Sequence, residues 1–269
     1  MSRGMTVREP EQALQRLGQV NYARLKGYLL PFRTESGRYL PGTEFERVYR
    51  LYVFDARLRG LLFPVLSEIE LTLRSNLSYY CSQRYGAFGC YAPAHFENEG
   101  EHARFLRTVS AAVRDEDNAS FLAGHRRQGG RYPVWVVLEL LSMGGLAHYY
   151  ANLLPDDRKR VASEYYGLRE WVMTDWTSCF TQLRNAVAHY CRLYFAPFPD
   201  APVTPGRCPF VLGRDLFDYL YVARGLYLHP RRWNESFLTP LRGLLDEYGK
   251  DVELCHIGFP PNWYELLAK

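Results

Sequence analysis

Apolar side chains recur every three to four residues through most of the chain, and that period predicts helices. Phe45, Val48, Leu51, Tyr52, Leu58, Leu62, Val65, Leu66, Ile69, Leu73 and Leu77 trace one long helical tract over 44–84. Thr43 and Glu46 stand ahead of it at capping-box spacing, and Pro64 is expected to kink or divide it near Leu62. Leu14, Leu17, Leu25 and Tyr28 predict a single earlier helix over 11–30, stopped by Pro31. Further helices are expected over 101–115, 118–127 and 155–166, the last ended by Gly167. The apolar run PVWVVLELLSMGGL reads as a helix broken at Gly144-Gly145. Internal repeats, heptad seams and hairpin signals are missing, so the expected fold class is all-α.

The longest clean pattern covers 168–194. Val172, Trp176, Phe180, Leu183, Val187, Tyr190 and Tyr194 form an apolar stripe. Asp175, Ser178, Gln182, Asn185, His189 and Arg192 form a polar stripe opposite, with Arg184 beside it. Such a helix is anchored on one side and presents chemistry on the other. Pro197, Pro199, Pro202, Pro205 and Pro209 follow, which predicts a stiff, extended connector. Helices over 212–228 and 231–248 complete the pattern. The expected organisation is an N-terminal helical extension (1–42), a helical core (43–196), the connector (197–209) and a C-terminal helical extension (210–269).

The 269 residues, 47% of them hydrophobic and 23% charged, are a globular composition with a core of useful size. A net charge of +4 permits a polyanionic partner without demanding one. Lysine occurs only at 26, 159, 250 and 269, so arginine carries the positive charge. Arginine is the better fork for phosphate, although GC-rich coding produces the same bias. No two of the six cysteines have CxxC spacing, and no apolar run approaches a membrane span or a signal core. A cytoplasmic protein without a membrane partner is expected. His95, Glu97, Glu99, Glu101 and His102 lack recognised metal spacing, Gly144-Gly145 has no GKS/T, and no G-x-S-x-G elbow is present. Neither metal nor cofactor is expected.

The chemistry-bearing residues gather at TQLRNAVAHYCRLY. RNA is cleaved without a metal when its 2′-hydroxyl attacks the adjacent phosphorus, leaving a 2′,3′-cyclic phosphate and a 5′-hydroxyl. The reaction needs a base, an acid and positive charge at the non-bridging oxygens. His189 can serve as base or acid, and Arg184 can stabilise the phosphate charge. Asn185, Arg192 and Gln182 can support them, Asn185 being one turn from His189. One histidine is half of an acid–base pair, so a twofold dimer would bring two sets into one composite cleft. Spacing alone favours the plainer reading of a solvated face or a bundle histidine. Glu70 and Arg74, four apart, are expected to pair near the site, either as a solvated salt bridge or as a partly buried structural pair.

At RNAVAHYCRLY the chain resembles the HEPN superfamily motif: an arginine, a polar residue and, a few positions on, a histidine. It resembles most closely the Abi-like branch (abortive infection, AbiD/AbiF-type). Five segments carry this in order: VNYARLKGYLLPF, LYVFDARLRGLLFPVLSEIELTLRSNLSYY, PVWVVLELLSMGGL, LRNAVAHYCRLY and GFPPNWYELL. The resemblance implies a HEPN-type helical bundle, usually dimeric, and a toxin-like antiphage role by RNA cleavage. It maps the catalytic pair onto Arg184 and His189, puts Asn185 at the polar position and sets Arg192 where a basic residue often recurs. The chain departs from the family at RLYFAPF, where an Asn commonly follows a Trp or Tyr. Expected partners are RNA, a second copy of the chain, and an antitoxin or phage-derived trigger; occlusion by the proline-linked tail is another way to restrain it. A non-catalytic HEPN module binding RNA or protein is the alternative, and a packing scaffold a third.

Overall fold

The computed structural model describes residues 4–125 and 127–269. In chain order the helices are α1 (Pro10–Gln19), α2 (Tyr22–Lys26), α3 (Phe45–Tyr85), α4 (Glu99–Arg114), α5 (Ala119–Ala123), α6 (Val134–Glu139), α7 (Met143–Ala151), α8 (Pro155–Tyr166), α9 (Glu170–Ala188), α10 (Leu216–Leu226), α11 (Pro230–Trp233), α12 (Thr239–Glu247) and α13 (Trp263–Leu267). Among the described residues there are isolated bridges but no strands, so the all-α expectation holds. No described helix is long and apolar enough to cross a membrane.

The chain forms two compact units. The first comprises the chain up to Val65, Leu183–Ala201 and Gly213–Lys269; the second comprises Leu66–Gln182 and Pro202–Leu212. In the first, the predicted helix over 11–30 is three pieces: α1, α2 and a 3-10 segment over Gly27–Phe32. Val20 is extended, and the Asn21 side chain accepts the Ala23 N–H at 2.8 Å, restarting the helix at Tyr22. The break lets Ala13, Val20, Leu25 and Phe45 close on one small core with Tyr49 and Tyr52 at its edge.

The capping box before α3 does not form. The Thr43 hydroxyl donates to the Leu40 carbonyl at 2.7 Å. Glu46 Oε1 accepts the Arg8 and Glu9 amides at 3.0 and 3.2 Å, serving the start of α1 instead of its own helix. Nor does Pro64 divide α3. Pro64 and Gly60, whose carbonyl loses its intrahelical partner, are both exposed, so water can satisfy that oxygen. Leu58 and Leu62 are fully buried alongside, and their burial outweighs the local cost of roughly 3 kcal/mol for a helical proline.

In the second unit the break in the apolar run lies at Leu140–Ser142, ahead of the glycine pair. Ser142 Oγ accepts the Gly145 amide at 3.2 Å and starts α7, placing both glycines in its first turn. The Glu70–Arg74 pair forms at 2.9 Å, and Arg74 is buried. Its guanidinium also donates to the Leu138 and Leu141 carbonyls, so it caps the C-terminal end of α6. The pair is therefore structural, not solvated. Asp157 of α8 accepts the Tyr80 hydroxyl at 2.6 Å and the Tyr85 hydroxyl, tying α8 to α3. His95 bonds the Gly89 carbonyl and stacks on Tyr85; His102 is buried against the Cys90 carbonyl. α5 ends at Ala123, short of the predicted 127, and position 126 lies outside the described residues.

The proline stretch is held at several points. In the first unit Phe198 is buried and stacks on Tyr219 with ring centroids 3.9 Å apart. In the second, Trp176 Nε1 donates to the Val203 carbonyl at 3.0 Å and Asp175 accepts the Val203 amide at 2.8 Å.

Candidate functional site

The apolar stripe of α9 folds as its spacing predicts: Val172, Trp176, Phe180, Leu183 and Val187 are buried. Arg184 and Gln182 are half-buried on the flank, and Asn185 and His189 are exposed. The helix, however, stops at Ala188, six residues before the predicted end. Two bonds close it. The Tyr190 amide donates to the Val187 carbonyl at 3.2 Å and the Cys191 amide to the Ala186 carbonyl at 2.8 Å. This is a Schellman closure, with Tyr190 in the left-handed position (φ 57°) where glycine is usual. His189 is thus the cap residue of α9, its amide still bonded to the Asn185 carbonyl at 2.9 Å. Tyr190 leaves the apolar stripe and is 68% exposed, while Arg192 leaves the polar one.

The chain turns away because stronger acceptors wait elsewhere. Asp55 of α3 is fully buried. Its oxygens accept the Leu193 amide at 2.9 Å, the Tyr194 amide at 3.1 Å, the Tyr28 hydroxyl at 2.5 Å and Arg59 Nη1 at 2.8 Å. Burial pushes the Asp55 carboxyl up; the Tyr28, Leu193 and Arg59 bonds oppose it. Arg59 also donates to the Cys191 carbonyl at 3.1 Å. Tyr194, buried, meets His256 Nδ1 at 2.8 Å and accepts the Glu253 amide at 3.2 Å. Residues 190–195 are therefore clamped from both sides.

A cavity of about 220 Å³ opens beside this clamped segment. Arg24, Arg59, Arg192, Tyr28, Tyr52 and Tyr190 line it. Arg24 Nη1 donates to the Tyr190 carbonyl at 3.3 Å, and Arg192 Nη1 to the Tyr194 and Phe195 carbonyls at 2.8 and 2.5 Å. Burial lowers the pKa of Arg192, while Tyr28 and Asp55 pull the other way.

The structure brings Arg184, Asn185, His189 and Arg192 into the first unit; Gln182, Glu70 and Arg74 belong to the second. Arg184 Nη1 lies 3.5 Å from Asn185 Oδ1, the outer limit of a hydrogen bond. Sequence reasoning gave Asp55 and Arg24 no role at the site and read Tyr194 only as part of the apolar stripe. A signal for Asp55 existed: an aspartate inside the apolar run LYVFDARL with an arginine four residues later. Ligand atoms of Glu253, Cys255 and His256 also lie within 4.8 Å of one another, but Nδ1 of that histidine is engaged by Tyr194.

No curated protein and no solved structure matches the chain. A family model described as Abi-like protein matches residues 15–195. The match runs from α1 through α9 and ends at Phe195, so it takes in both Asp55 and the segment it holds. The chain belongs to the Abi-like protein family.

Proposed function

We propose that this Abi-like protein is a metal-independent endoribonuclease of the HEPN type, working in the cytoplasm as an abortive-infection effector. The observation that supports it most is His189: an exposed imidazole at the cap of a helix anchored by its buried apolar stripe, fixed by the Schellman closure and by the Asp55 clamp just beyond. A general acid or base works best when its own backbone does not move.

In this reading His189 removes the 2′-hydroxyl proton. The 2′-oxygen then bonds to phosphorus, the P–O5′ bond breaks, and the leaving oxygen takes a proton. Arg184 stabilises the negative charge that builds on the non-bridging oxygens, with Asn185 and Arg192 holding the strand. The second proton-transfer group is His189 of another copy, which makes the active species a homodimer with a composite cleft. An antitoxin would keep it silent in the resting cell, or a phage-derived trigger would switch it on. The test is RNA cleavage by purified protein in excess EDTA, with product ends analysed. Cyclic-phosphate ends that vanish in His189→Ala support the reading; undiminished cleavage in that variant refutes it.

One observation favours a second reading. Each chain offers a single imidazole at this helix end, and the arginine-lined cavity could hold RNA without cutting it. A non-catalytic module would bind RNA equally well with and without His189 and never yield cyclic phosphate.

A further inference from the structure

Three guanidinium groups, those of Arg24, Arg59 and Arg192, converge on the cavity beside α2. Among the described residues the one carboxylate bonded to any of them is Asp55, which holds Arg59 and is committed to two backbone amides as well. Three cations against one carboxylate leave two positive charges at one cavity. Arg24 and Arg192 rest on backbone carbonyls, which orient them without neutralising them. Each keeps further N–H donors for an anion.

Two backbone features serve the same cavity. A Cβ on Gly27 would lie 2.7 Å from Arg192 Nε and 3.0 Å from its Cδ, so only glycine lets this side chain lie flat against the 3-10 segment. Tyr190 occupies a left-handed position that normally belongs to glycine, and it presents an exposed ring at the cavity wall. A strained, exposed aromatic beside unneutralised arginines needs a reason that packing does not supply. At about 220 Å³ the cavity has room for a phosphate and a ring.

We infer that this cavity binds one nucleotide of an RNA strand, its phosphate on Arg24 and Arg192 and its base against the Tyr190 ring. Arginine forks recognise phosphate oxygens, and an aromatic face stacks any base, so the site is sequence-tolerant. Tyr190 follows His189 directly in the chain, so the bound nucleotide would flank the phosphate to be cut. The choice of polymer rests on the RNA reading above; binding at this cavity does not require cleavage.

The experiment measures binding of the full-length protein to a 2′-O-methylated single-stranded oligonucleotide, which cannot be cleaved, by fluorescence anisotropy across a salt series. Arg24 and Tyr190 are exposed, so Arg24→Gln and Tyr190→Asn should fold, and thermal melts check this. Arg24→Gln is expected to weaken binding about tenfold and to flatten the salt dependence by ~0.7 in log–log slope. Tyr190→Asn keeps the left-handed backbone, weakens binding by a similar factor and leaves the slope unchanged. Gly27→Ala displaces Arg192 without altering charge and is expected to weaken binding too. Wild-type affinity and slope in Arg24→Gln, or wild-type affinity in Tyr190→Asn, would overturn the inference. Adenosine monophosphate or inorganic phosphate binding as tightly as the oligonucleotide would also overturn it, marking a small-anion site. His189→Ala that no longer cleaves but binds normally leaves the cavity assignment standing. Wild-type binding in Arg24→Gln removes that assignment while leaving the cleavage reading untouched.

Discussion

Oδ2 of Asp55 accepts the Leu193 amide at 2.9 Å, joining residues 138 apart in the chain. Through that bond, and its neighbour to Tyr194, a buried carboxylate in α3 decides the course of the chain after α9. Removing it leaves Arg59 buried with its charge uncompensated and two amides without an acceptor. Asp55→Ala is therefore expected to cost about 3–5 kcal/mol in urea unfolding. A loss below ~1 kcal/mol would show that the clamp is not needed.

Tyr190 sets stability against binding. At φ 57° a residue other than glycine carries strain of roughly 1–2 kcal/mol, and this ring, being exposed, recovers little through burial. Tyr190→Gly should raise stability by about 1 kcal/mol while weakening oligonucleotide binding. Melting curves and anisotropy on the same preparation check both halves.

His189 lies at the surface, so its loss should be silent for the fold. His189→Ala is expected to shift unfolding free energy by no more than ~0.5 kcal/mol and to slow RNA cleavage by at least ~10²-fold. A composite cleft adds a second signature: specific activity should fall on dilution as the dimer dissociates. Activity per chain that stays constant down to the monomer, verified by light scattering, would exclude a shared site.

Burial pushes the Tyr194 phenol up to about 12 from an ordinary 10.0. Between those values the unfolded chain releases this proton and the folded chain keeps it. The unfolded state then binds fewer protons, and stability falls as pH rises from 10 to 12. Tyr194→Phe should be less stable at pH 8, having lost the His256 and Glu253 partners, yet show a shallower decline through that window. Urea midpoints at pH 8, 10 and 11.5 measure the slope.

The structure speaks against the C-terminal segment as a removable lid. Arg47 donates to the Asp251 carbonyl at 3.2 Å, Phe54 packs on Tyr248 with centroids 5.6 Å apart, and Tyr194 bonds His256. All belong to the first unit, with Phe217, Trp233 and Leu267 buried in it. Truncation after Pro205 is expected to abolish the cooperative melt instead of releasing activity. A folded, more active truncated protein would revive the occlusion idea.

Much of the helical order was legible because a helix is a local object. The buried stripe from Val172 to Val187, the start of α8 at Pro155 and its stop at Gly167 all follow from spacing and capping residues within a few turns. The family could be read from segments such as LYVFDARLRG and LRNAVAHYCRLY, since the pattern lies in the order of residues itself. Where local rules competed with burial or a distant acceptor they failed. Pro64 did not divide α3, because the exposed Gly60 carbonyl can turn to water while Leu58 and Leu62 remain buried. Glu46 did not cap its own helix, because the Arg8 and Glu9 amides reach it first.

The sequence by itself determined a helical protein of the Abi-like family with Arg184, Asn185 and His189 on or beside one polar face near the end of a helix. Only the tertiary structure decided that α9 ends at Ala188, that Tyr190 turns outward and that Arg192 leaves the polar stripe for a cavity shared with Arg24. Periodicity is a relation between neighbours in the chain. A helix end is settled by which acceptor its last amides can reach, and here that acceptor, Asp55, is brought alongside by folding.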